Sequence, residues 1–231
     1  MRKNTSAARR LRLFAVFVFL FWTLLTLYPR PADLARSVYR VFNPPVDGEF
    51  VIAHAELFAH AETGREIDRA VRQAFPYQYD WVTYGMPWYF PSIDEAFLSM
   101  AGDCKTRLLV LASVLESRGI PYSIAVSPTH VWVEYEGKSS NAIENAGVTL
   151  FSSETGALQL PVDIDLRRSV DSFWTAFWHY MPVRHKVSLY FGLVLSVALF
   201  LLAGLRPQGF DDLVSGDRHA GSGGPEVPVA I

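Results

Sequence analysis

The chain has 231 residues, half of them hydrophobic and 19% charged, with a formal net charge of −2. That balance excludes a disordered chain, which needs few apolar residues and a high net charge, and a nucleic-acid binder, which carries a basic excess. The single cysteine excludes an internal disulfide framework and a multi-cysteine zinc site.

Residues 1–12 carry Arg2, Lys3, Arg9, Arg10 and Arg12 and no acid. An uncharged run, Leu13 to Tyr28, follows. As a helix it covers about 24 Å, slightly less than a hydrocarbon core of about 30 Å. Leu11 and a snorkelling Arg12 extend it, and Pro29 and Pro31 stop it. A cleaved signal peptide is the competing reading, but no A-x-A-like site follows, so the segment is read as a retained anchor. The basic flank predicts a cytoplasmic N-terminus.

Residues 30–50, with Pro44-Pro45 and Asp47-Gly48, read as a linker with turn chemistry. Ile52, Ala55, Leu57, Phe58 and Ala59 predict a helix over 51–62. Thr63 and Glu66 have capping-box spacing, so a helix is expected over about 64–75, ended by Pro76. Tyr77 to Pro91 is crowded with aromatics and too irregular for a helix; it either lines a substrate cleft or fills space beside a membrane. Ser92 and Glu95 form a second capping box, opening a helix to about Met100 that Gly102 breaks.

Asp103 can cap a helix from Cys104 to about Ser117, with Gly119 at its stop position. Ile120–Val126 and Thr129–Tyr135 read as strands, the second with His130, Trp132 and Glu134 on one face. Glu136-Gly137-Lys138 is a turn, and Ala142-Ile143 begins a third strand. Val170–Tyr180 concentrates Phe173, Trp174, Phe177, Trp178 and Tyr180 and reads as an interfacial helix, with His179 an interface residue and Arg167 and Arg168 near headgroups. Val187 to Leu205 has no charge and predicts a second span, stopped by Pro207. Two spans return the C-terminus to the cytoplasm. The tail, 206–231, is rich in Gly, Asp and Pro and reads as disordered. The expected organisation is therefore 1–12 cytoplasmic, 13–28 spanning, 29–186 extracytoplasmic, 187–205 spanning and 206–231 cytoplasmic.

A thiol at a helix N-terminus sees the positive end of the macrodipole, which favours the nucleophilic thiolate. An imidazole nearby favours it further and serves as acid and base in acyl transfer. Cys104 and His130 stand in those positions. A third group orients the imidazole; Asn141, Glu144 and Asn145 follow the turn. The bland alternatives are a buried small hydrophobe for the cysteine and a structural role for the histidine. His54 and His60 are six apart, poorly aligned on a helix, and HAELFAH lacks the H-E-x-x-H order, so no metal site is expected.

Gly102-Asp103-Cys104-Lys105, then Arg118-Gly119-Ile120-Pro121, then His130-Val131-Trp132-Val133-Glu134, together resemble the core of the transglutaminase-like superfamily. The resemblance covers about 92–145. It implies an α+β, papain-like thiol fold with Cys104 as nucleophile and His130 as its partner, here flanked by two transmembrane helices. It also implies thiol-dependent acyl transfer or hydrolysis, with no cofactor. The third position departs from the family, which usually has an aspartate after a tryptophan-containing strand; Glu144 is preferred there, with Asn145 as alternative. The oxyanion donor is expected from the Cys104 backbone N–H plus Trp81, Trp88 or Tyr89. The expected partners are the bilayer and an envelope or surface protein or peptide. A different class of function is an inactive domain of this fold that binds peptide or assists a membrane-protein partner.

Overall fold

The computed structural model describes residues 3–139, 144, 146–156, 158 and 166–203. Among these the chain is α+β. The helices are α1 (Lys3–Leu27), α2 (Pro31–Phe42), α3 (Gly48–Ile52), α4 (Gly64–Ala74), α5 (Asp80–Thr83), α6 (Ile93–Ser99), α7 (Cys104–Ser117), α8 (Leu166–Trp174) and α9 (Val183–Leu202). Three short strands, β1 (Tyr122–Val126), β2 (Val131–Tyr135) and β3 (Phe151–Ser152), lie between α7 and α8. The chain divides into two compact units, residues 1–22 with 190–231, and residues 23–189.

In the first unit, Trp22 packs on Phe191 with ring centroids 5.5 Å apart. It also lies over Gly192, where any Cβ would overlap the Trp22 ring. A small residue at that point lets two apolar helices approach closely. Leu13, Phe14, Phe17 and Leu20 are left exposed. Two helical segments, Ala8–Leu27 and Val183–Leu202, are each long and apolar enough to cross a membrane. The second starts four residues earlier than its uncharged stretch and takes in Arg184 and Lys186; Leu205 and the tail lie outside the described residues.

The second unit is organised by local caps. The Glu66 carboxylate accepts from the Thr63 N–H at 3.0 Å while Thr63 accepts from the Glu66 N–H at 3.3 Å, and α4 begins there. Ser92 and Glu95 make the same reciprocal pair at the head of α6. The linker expected at 30–50 is instead mostly helical. Pro31 stands in the first turn of α2, where a missing N–H is no loss and its fixed φ suits the helix. Asp33 is buried in that turn and held by Arg30 at 3.1 Å and Arg36 at 3.3 Å. The helix expected over 51–62 is broken into α3 and a 3-10 turn, Ala55–Phe58. α8 runs on through a π-helical turn, Thr175–His179.

α7 forms the centre. Every residue from Leu108 to Leu115 is buried, and α3, α4, α6, β1 and β2 all pack against it. The sheet is antiparallel in the order β2-β1-β3. Ile124 pairs with Val133, and both are buried in the main apolar cluster with Leu109 and Leu115. The third strand expected at Ala142-Ile143 lies outside the described residues; β3 pairs with β1.

Candidate functional site

The Asp103 side chain accepts the Lys105 N–H at 2.9 Å, and so α7 starts at Cys104. Gly102 is required just before it, because a Cβ there would overlap the Thr106 side chain. Gly102 also pairs with the segment after Pro76: Gln78 N–H donates to its carbonyl at 3.0 Å, and its own N–H donates to Pro76 at 3.2 Å. This pairing brings Tyr77 beside the thiol. At the mouth of β2, the Ser127 hydroxyl accepts the His130 N–H at 3.0 Å and donates to the His130 carbonyl at 3.1 Å. A tight turn thereby presents the imidazole, which stacks on Trp132 two residues along the same strand face.

His130 Nε2 donates to Glu144 Oε1 at 2.8 Å. Glu144 is buried, and its other oxygen meets Lys138 Nζ at 3.1 Å. Lys138 is anchored in turn on the Val133 carbonyl at 2.6 Å. The His130 hydrogen bond, helped by Lys138 and opposed by burial, lowers the Glu144 pKa to about 2. A carboxylate only accepts, so Nε2 carries the proton and Nδ1 is the basic nitrogen of the neutral ring. Of the residues proposed to orient His130, Glu144 makes this contact; Asn141 and Asn145 lie outside the described residues.

A cleft of about 70 Å³ is lined by Cys104, His130, Trp132, Glu144, Tyr77 and Arg107, among others. The Val131 N–H hydrogen-bonds the Cys104 thiol, so sulfur and imidazole occupy one wall. No hydrogen bond joins Cys104 to His130 among the described residues. The surroundings of the thiol work against the thiolate that the helix terminus favours. Burial first, then the Asp103 charge, push the thiol up to about 12, against the opposing pull of Lys105 and Val131. Desolvation and a neighbouring carboxylate both disfavour the charged form.

Sequence reasoning missed the group beside the thiol. Lys105 is only 4% exposed and pairs with both Asp103 and Asp80, the latter at 2.8 Å. Burial alone would lower its pKa; Asp103 and Asp80 reverse the sign and hold it above the ordinary lysine value. Asp80 also accepts the Tyr89 N–H at 2.8 Å. A lysine next to a cysteine reads from sequence as a solvated charge, and the only signal against that was the apolar helix that follows it.

The other candidates are otherwise engaged. Trp81 Nε1 donates to the Phe177 carbonyl at 2.8 Å and Tyr89 Oη to Glu95 at 2.7 Å, so neither is a free oxyanion donor. The Trp88 ring lies 5.9 Å from Lys105 Nζ. The His54 ring packs between Phe50 and Phe97. His179 meets Tyr180 edge-on. No protein-family model, curated protein or solved structure matches this chain.

The Glu144 contact has a pH signature. A carboxyl whose folded pKa lies below its ordinary value stabilises the fold fully above that value, about 4.5, and loses the contribution as pH falls toward about 2. The loss should be on the order of 2–3 kcal/mol. Denaturation midpoints measured across that window should fall more steeply in the wild type than in Glu144→Gln, the difference being the Glu144 contribution, since the Glu66 and Glu95 pKa values also lie below the ordinary value and these groups titrate in both proteins.

Proposed function

We propose that this cleft performs thiol-dependent acyl transfer, in a transglutaminase-like, papain-like domain held at a membrane. The supporting observation is the His130–Glu144 pair, 2.8 Å apart, lining one cleft with Cys104. Cys104 Sγ attacks a carboxamide or peptide carbonyl, and its proton passes to His130 Nδ1. Glu144 stabilises the imidazolium. The C–N bond breaks, the leaving nitrogen takes the proton from His130, and a thioester remains on Cys104. Water or an amine then attacks the thioester and restores the thiol. With the thiol pKa raised by burial and Asp103, its proton moves to the imidazole as the carbonyl is attacked, as for a hydroxyl nucleophile activated by an adjacent base.

The test uses the full chain in detergent with a glutamine-containing peptide and a biotinylated primary amine. Incorporated amine identifies a cross-linker, and deamidation or peptide cleavage a hydrolase. Cys104→Ser should abolish both, and absence of every product with the wild type contradicts the reading. The raised pKa of the half-buried thiol favours one second reading, a cleft that binds peptide without turnover. In that case peptide binding survives Cys104→Ser and no product forms with either protein.

Two helices apolar enough to cross a membrane, with five basic residues before the first apolar run, support cytoplasmic termini and an extracytoplasmic domain. An engineered Glu136→Cys in a Cys104→Ser background should react with an impermeant maleimide on intact cells. Protection until the cells are lysed contradicts that orientation.

A further inference from the structure

The cleft that holds Cys104, His130 and Glu144 is also lined by guanidinium groups that the acyl-transfer scheme does not use, those of Arg72 and Arg107. Arg107 lies three residues after Cys104, so both side chains emerge on one helix face. Its Nε donates to the Phe75 carbonyl at 2.9 Å, and its guanidinium lies 5.3 Å from the Tyr77 ring centroid. Those contacts hold the group in place. They leave Nη1 and Nη2 without a hydrogen-bond partner among the described residues.

The neighbouring charges are already matched. Arg72, on α4, grips Asp68 with Nε at 2.8 Å and Nη2 at 3.1 Å. Asp68 also accepts the Tyr135 hydroxyl at 3.1 Å. Lys138 is matched by Glu144, and Asp103 is taken by Lys105 and the helix N–H. Among the described residues Arg107 therefore makes no close ion pair, its nearest acid, Asp68, being gripped by Arg72. Burial and then the like charge of Arg72 weaken its hold on its proton. A second cavity, of about 240 Å³, shares Asp68, Arg72, Lys138 and Glu144 with the first and adds Arg65. The charged lining thus continues away from the thiol, with Arg65 added beyond the matched pairs.

We infer that the cleft selects substrates bearing a carboxylate close to the reacting carbonyl, bound by the Nη groups of Arg107 with Arg72 adding attraction. This rests on the acyl-transfer reading for the identity of the substrate, though the anion site itself does not. A guanidinium fork matches a carboxylate in geometry and charge. The pairing also relieves the repulsion between the two arginines.

Iodoacetate and iodoacetamide test this without any substrate. They are nearly the same size, and each alkylates the thiolate with loss of iodide, but only iodoacetate carries a carboxylate. At a thiolate with no cation nearby, like-charge repulsion makes iodoacetate the slower reagent. On the full chain, iodoacetate should modify Cys104 faster than iodoacetamide, with a rate that saturates. A charge-assisted hydrogen bond implies that Arg107→Gln lowers the iodoacetate rate roughly 10-fold or more. The iodoacetamide rate should stay within about two-fold, which also shows that the variant is folded. Arg107→Lys should keep part of the preference. Slower, non-saturating iodoacetate in the wild type, or equal loss of both rates in Arg107→Gln, overturns the inference. The readout needs no turnover, so a failure of acyl transfer and a failure of anion selection are separate results.

Discussion

Lys105→Met should destabilise residues 23–189 by about 3–5 kcal/mol, the largest stability effect expected from a single side chain here. The ammonium is buried between Asp103 and Asp80 and lies beside the Trp88 ring. Methionine replaces most of the volume but leaves two buried carboxylates with no cation between them. Burial already raises the Asp80 carboxyl above the usual carboxylate range, despite the nearby Lys105. One of its oxygens, Oδ1, is buried without a hydrogen-bond partner among the described residues. Asp80→Asn combined with Lys105→Met should therefore recover much of the loss, because fewer unpaired ions stay buried. The single variant should also recover on acidification. Its carboxyls gain raised folded pKa values, so their neutral forms suit the fold at low pH and the deficit grows as pH rises. Denaturation midpoints of wild type, single and double variants from pH 4 to pH 8 measure this. A Lys105→Met chain as stable as the wild type at pH 8 contradicts the assignment of a buried ion cluster.

The same cluster marks where the sequence was opaque. The helix starts at Gly64, Ile93 and Cys104 were legible, because Thr63, Ser92 and Asp103 act on N–H groups within three residues. The strand face carrying His130 and Trp132 was legible from period-two alternation. α2 was missed because Pro31 was taken as a stop, whereas proline fits the first turn of a helix equally well. The Lys105–Asp80 pair was illegible because its partners are 25 residues apart and meet only when the aromatic segment folds against Gly102. The rise in the thiol pKa was only half legible: its largest cause, desolvation, comes from elements distant in sequence, whereas the next, the Asp103 charge, stands beside the cysteine. The Arg72–Arg107 juxtaposition is likewise non-local, joining α4 to α7.

The second large effect is on the proposed chemistry. His130→Ala removes the imidazole that lines the cleft beside Cys104. General acid–base assistance is typically worth 10²–10⁴ in rate, and a thiol held near 12 depends on that assistance more than an ordinary thiol would. Acylation at pH 7 should fall by about that factor in His130→Ala. Glu144→Gln keeps the ring and much of its contact but loses the charge that stabilises the imidazolium. It should fall less, by roughly ten-fold, about the worth of one charge-assisted bond. In the absence of substrate, iodoacetamide alkylation of Cys104 should keep rising past pH 9, where an ordinary thiol levels off. That profile separates a thiol activated during attack from one ionised at rest.

The most direct measurement is acylation of the full chain by p-nitrophenyl acetate at pH 7. The thiol attacks the ester carbonyl, p-nitrophenolate leaves, and an acetyl thioester remains on Cys104. Burst amplitude and the mass of the Cys104 peptide are read together in wild type, His130→Ala and Cys104→Ser. The wild type should release one p-nitrophenolate per chain with the acetyl group on Cys104, His130→Ala should show a burst slowed by about 10²–10⁴, and Cys104→Ser should carry no acetyl group at that position. An unmodified Cys104 in the wild type, or acetylation at the same rate in wild type and His130→Ala, contradicts acyl transfer through Cys104 and His130.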